Sequence, residues 1–128
     1  MTSIRLTLAA ALSVLGATAA LADVKNEIVT AIEHVQYSAD ATDIQTAHMH
    51  LHHTLNCLVG PNGNGYDAKE IDPCKNAGHG IIPDTTDRMA RAQLEAAAQK
   101  ARDGLATSDL PTARADAVAI VKTLEALK

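Results

Sequence analysis

Ile44 to Leu58 reads IQTAHMHLHHTLNCL and carries four of the chain's six histidines and one of its two cysteines. At about 100° per residue, Ile44, Ala47, Leu51, Leu55 and Leu58 fall on one stripe, the spacing of a helix with one face in a core. A strand is the rival reading, because His48, His50 and His52 alternate. The leucines keep helical spacing and no β-branched run supports a strand, so the stretch is predicted to be a helix from about Asp43 to Val59, stopped by Gly60-Pro61. On that helix His48 and His52 are i and i+4 at the edge of the apolar stripe and can converge on one point. His50 and His53, i and i+3, are expected to face solvent.

Upstream, Asp23 can cap a first helix over about Val24 to Tyr37, with Val24, Ile28, Ala31, Ile32 and Val35 as its inner stripe. Glu27 and His34 lie on one flank of that stripe. The polar link from Ser38 to Thr42 is short, so the first two helices should be antiparallel neighbours. Downstream, Gly60 to Asp84 is rich in Gly, Pro and Asn and loses all periodicity, which marks a long loop. A third helix is predicted from Thr85 to Ala106, capped by Asp84 or Thr85, with Ala90, Leu94, Ala97, Ala98, Ala101 and Leu105 inward. A fourth follows Asp109-Leu110-Pro111, with Pro in a tolerated first-turn position and Ala113, Ala117, Ile120, Val121, Leu124 and Leu127 inward. The expected fold is all-α: an up-and-down four-helix bundle with one long disulfide-pinned loop between helices two and three.

The chain has 128 residues, the length of one domain. Arg5, the apolar run from Leu6 to Leu15 and the small-x-small Ala20-Leu21-Ala22 read as an export signal over 1–22, leaving a bundle domain over 23–128. The apolar run is short of the roughly 20 residues of a membrane span, so no stable membrane insertion is expected once the signal is cut. The net charge of -4 leaves no basic patch, which argues against nucleic acid and favours cations or a basic protein surface. Phe and Trp are absent, so the core must be aliphatic and alanine-rich. In an exported chain Cys57 and Cys74 are expected to pair, closing the loop region, with thiolate metal ligands as the alternative.

Imidazole is the commonest side-chain ligand for late first-row metals. The predicted primary site is His48 and His52, completed by His34, Met49 or His79, with Glu27 and Asn56 as further candidates; His50 and His53 would form a secondary surface site. Nitrogen donors near methionine place copper first, with zinc or nickel behind. Haem is the alternative cofactor, held non-covalently because C-x-x-C-H is missing. No nucleophile elbow, H-E-x-x-H or phosphate loop occurs, so binding is favoured over catalysis.

The export signal, the helical content and the AHMHLHH tract from Ala47 to His53 resemble small histidine-rich periplasmic metal-binding proteins. The resemblance implies an exported four-helix bundle that takes up copper or another divalent ion; the role expected here is buffering, delivery or tolerance, in the periplasm or outside the cell, with a periplasmic protein as a further partner. The histidines are concentrated on one helix here, and the segment from Asn56 to Cys74 has no counterpart in that pattern. Both departures point to one or two defined sites under a stapled loop. Two other expectations stand beside this one: a haem-binding or electron-transfer bundle, and an adaptor whose 60–84 loop is a docking surface.

Overall fold

The computed structural model describes residues 21–128; all but the last two residues of the predicted signal lie outside that range. The described residues form five helices and no strand: α1 Val24–Ala39, α2 Ile44–Val59, α3 Ile81–Asp84, α4 Arg88–Ala106 and α5 Leu110–Leu127. α1 packs on α2 and α5, and α4 packs on α5 and α2. The core between them is aliphatic: Ile28, Ala31, Val35, Leu51, Leu55, Leu58, Leu94, Ala98, Ala101, Ala117, Ile120 and Leu124 are all buried.

Each long helix starts where an aspartate can accept from an otherwise orphan backbone N–H. Asp23, Asp43, Asp87 and Asp109 accept from the backbone N–H of Asn26, Thr46, Ala90 and Thr112 respectively. The cap of α4 differs from the predicted Asp84 or Thr85. Those residues are committed elsewhere: the Asp84 carboxylate accepts from the His79 backbone N–H at 2.5 Å, and the Thr85 hydroxyl donates to the Ile81 carbonyl at 2.6 Å. The chain therefore makes one extra turn, α3, inside the segment predicted as loop, and α4 begins three residues late. On α4, Gly104 is buried where Leu105 was expected to be, and Leu105 is only partly covered. A β-carbon at Gly104 would stand 2.8 Å from Leu51 Cδ1, so the glycine leaves room for the Leu51 side chain between α2 and α4.

The segment from Gly60 to Gly80 has no regular element and is tied down at three places. Cys57 and Cys74 form a disulfide with Cα atoms 5.1 Å apart, so the thiolate alternative is overturned: neither sulfur is free to ligate. The Asn56 side chain donates to the carbonyls of Asp67 at 2.9 Å and Ile71 at 3.2 Å and accepts from the Asp67 N–H at 2.9 Å. Gly60, with φ 69°, and Gly80, with φ 121°, meet backbone to backbone, and a β-carbon on Gly80 would come within 2.7 Å of the Gly60 nitrogen. Chain-entropy arguments give a loop of this length roughly 3 kcal/mol of stabilisation from the disulfide. Reducing it, or replacing both cysteines by serine, is expected to lower the melting temperature by about 15 °C in a domain this small; thermal unfolding followed by circular dichroism, with and without reductant, measures it.

Candidate metal centre

α2 carries its histidines on two opposite edges of the buried stripe, and the neighbours of each edge decide what they do. On one edge, His48 Nε2 lies 2.9 Å from the Thr107 carbonyl oxygen at the end of α4, and His52 Nδ1 is buried without a hydrogen-bond partner among the described residues. On the other edge, α2 faces α1. There His50 Nδ1 stands 3.4 Å, and His53 Nδ1 3.3 Å, from His34 Nδ1. The ring centroids are 5.6 Å (His34 to His50), 5.1 Å (His34 to His53) and 5.5 Å (His50 to His53) apart, a nearly equilateral triangle. One ligand atom from each of the three lies within 4.8 Å of the other two.

The structure thus brings together His34, His50 and His53 and leaves out His48 and His52, the pair expected at the centre. The reason is which way α2 is turned. His50 and His53 were expected in solvent, but α1 and the 60–74 segment cover that edge, and His53 is 5 % exposed. The other candidates sit apart. Met49 is exposed on α2. His79 pairs with Asp84, Nδ1 to Oδ1 at 3.2 Å, with its side chain largely in solvent. Asn56 spends its amide on the loop, and Glu27 is buried against Gly80, whose N–H it accepts at 3.0 Å. Cys57, Asp72 and Cys74 also cluster, but the two sulfurs are bonded to each other.

Electrostatics keep the triad's nitrogens available. Burial pushes His34, His50 and His53 below the ordinary histidine value, and for His50 and His53 the neighbouring imidazoles add to the effect. The rings are therefore neutral near pH 7, each with one bare nitrogen. His34 Nδ1 has two nitrogen neighbours at hydrogen-bonding distance, yet it holds either one proton or one lone pair in that plane. It can serve both only by sharing that proton or lone pair across two long contacts, a conflict between the two neighbours. A cation at the centre removes the conflict by accepting all three lone pairs. The two contacts to His34 fit: ligands at about 2.0–2.1 Å in tetrahedral array stand about 3.3–3.4 Å from one another.

The outer flank is shaped by Tyr37, whose ring centroid is 5.1 Å from that of His50 and 6.1 Å from that of His34, and whose hydroxyl donates to Glu33 Oε1 at 3.0 Å. Inside, Thr54 donates to the His50 carbonyl at 2.8 Å and Ser38 to the Ala47 carbonyl at 2.9 Å, the second fixing the register of α1 on α2. His34 and His50 keep partial solvent access. Three protein donors and an open side are the arrangement of a site with an exchangeable fourth position. On the far side of His53, Nε2 faces Glu70 Oε2 at 3.6 Å. Glu70 was not among the residues expected from the sequence; it comes from the irregular segment, where no periodicity could place it.

No protein-family model, curated protein or solved structure matches this chain.

Proposed function

We propose that this is an exported metal-binding protein that holds one late first-row divalent ion on His34, His50 and His53, for buffering, delivery or tolerance. The observation that carries the reading is the pair of contacts at 3.3 and 3.4 Å between uncharged ring nitrogens, donated by two different helices. All three donors are imidazoles, and for such a set the affinity order places copper above zinc and nickel. Met49 and Met89 are both exposed and add no sulfur donor to the triad. The cluster supports a compact ion over haem, because its three ring nitrogens lie within 4.8 Å of one another, too close to flank a macrocycle.

The four long helices are proposed to run up and down, which the short links 40–43 and 107–109 and the packing of α1 on α2 and of α4 on α5 support. Export rests on the signal-like N-terminus and on the disulfide, which persists in oxidising compartments. No described helix is long and apolar enough to cross a membrane, and the acidic balance offers nothing to a nucleic acid. A periplasmic protein that accepts or supplies the ion would approach the open side by Tyr37.

Calorimetric titration of the purified chain with Cu(II) and with Zn(II) at pH 7.5 tests the reading. One equivalent is expected to bind with a sub-micromolar Kd, Cu(II) tighter than Zn(II). No uptake at micromolar metal would end it.

A further inference from the structure

An imidazole has two nitrogens, and only one of them can serve a given ion. For His53 the relevant one is Nδ1, 3.3 Å from His34 Nδ1. A free neutral histidine carries its proton on either nitrogen, so something must hold the proton on Nε2 if Nδ1 is to stay bare. The group facing Nε2 is the Glu70 carboxylate, at 3.6 Å.

We propose that Glu70 is the positioning residue of the metal centre: its carboxylate draws the His53 proton to Nε2 and turns the bare Nδ1 toward His34 and His50. The inference rests on the metal-binding reading and adds the group that makes one of the ligands competent.

The placement of Glu70 is built in. Its backbone sits in a turn in which its N–H donates to the Asp67 carbonyl at 3.2 Å. Asn56, one turn of α2 beyond His53, grips that turn through Asp67 and Ile71, and the Cys57–Cys74 disulfide closes the segment four residues further on. The helix that supplies two ligands therefore also supplies both ties that hold the orienting carboxylate over one of them. The Glu70 side chain is 35 % exposed, which leaves it room to close the last few tenths of an ångström. An ion on Nδ1 makes the Nε2 proton more acidic and draws the carboxylate in. Carboxylates so placed behind metal-bound histidines raise the ligand's donor strength, and removing one costs about 10–100-fold in affinity.

Two measurements on the full chain, one without metal and one with, test this. Long-range ¹H–¹⁵N correlation spectra of the metal-free protein at pH 8 should show His53 as the Nε2–H tautomer alone, and Glu70→Ala should show both tautomers. Competitive titration with Zn(II) should show affinity lower by about 10–100-fold in Glu70→Ala and by less in Glu70→Gln, whose side-chain oxygen can still accept the proton. Far-UV circular dichroism should be unchanged in both variants. A native His53 without a single tautomer, or Glu70→Ala binding Zn(II) as tightly as the native chain, overturns the proposal while leaving the site itself intact. A native chain that takes up no Zn(II) overturns the metal reading and this proposal together.

Discussion

Replacing His53 by alanine is expected to weaken metal binding by about a hundredfold or more, and replacing His34 should do the same, whereas His48→Ala and His52→Ala should leave affinity within about twofold. Four-ligand structural zinc sites in small peptides release about 10–16 kcal/mol, so one ligand's share is about 3 kcal/mol. At about 1.4 kcal/mol per factor of ten, its loss is worth roughly two powers of ten. His34 is the sharper case, because it is the donor from α1 that neighbours both of the others. His48 is committed to the Thr107 carbonyl, and His52 follows it one turn later on the same edge of α2. Competitive titration of the four variants against a chelator ranks them. A loss at His48 or His52 as large as that at His34 would move the site to the other edge of α2.

Substituting Glu27 by glutamine is expected to stabilise the protein at alkaline pH, the reverse of the usual effect of replacing a buried residue. Glu27 is fully buried; Oε1 accepts from the Gly80 N–H, and Oε2 has no partner among the described residues. Burial raises its pKa from 4.5 to about 7, opposed by the Gly80 hydrogen bond and aided by the carboxylates of Asp84 and Asp72, with His79 pulling weakly the other way. A carboxyl whose folded pKa exceeds its unfolded value holds its proton longer in the folded state. Its contribution is complete below pH 4.5, falls as pH rises, and is lost above about 7. The shift corresponds to about 3 kcal/mol between those limits. The triad histidines, held below their ordinary value, act in the opposite sense and still contribute above pH 6.5. Native chain and Glu27→Gln both carry those histidines, so the difference between the two isolates Glu27. Urea unfolding should show Glu27→Gln exceeding the native chain by about 3 kcal/mol at pH 8.5, the gap closing as pH falls toward 4.5. A variant less stable than the native chain at pH 8.5 would mean that the carboxylate is satisfied in a way its surroundings do not suggest.

Much of this architecture is written locally. The stripe of Ala47, Leu51, Leu55 and Leu58, the Asp23 cap of α1 and the pairing of the two cysteines are short-range signals, and each corresponds to a feature of the structure. The existence of a histidine cluster was equally plain; its membership was not. His48 and His52 flank the leucine stripe on one side, and His50 and His53 on the other. Helical periodicity treats the edges alike, and only the packing of α1 on one of them decides which pair meets His34. The burial of His53 had no local signal either, because part of its cover is the 60–74 segment, folded over α2 by Asn56 and the disulfide. Glu27 shows the same limit: a flank residue by spacing, it is buried because Gly78 and Gly80 bring the backbone against it.

The ion is expected between α1 and α2, within the triad of His34, His50 and His53. Crystals of the chain grown with one equivalent of Cu(II) or Zn(II), measured at the metal's absorption edge, should give a single anomalous peak about 2.0–2.1 Å from a nitrogen of each of His34, His50 and His53. A peak at His48, His52 or His79 with the triad bare, or no peak at all, would contradict it.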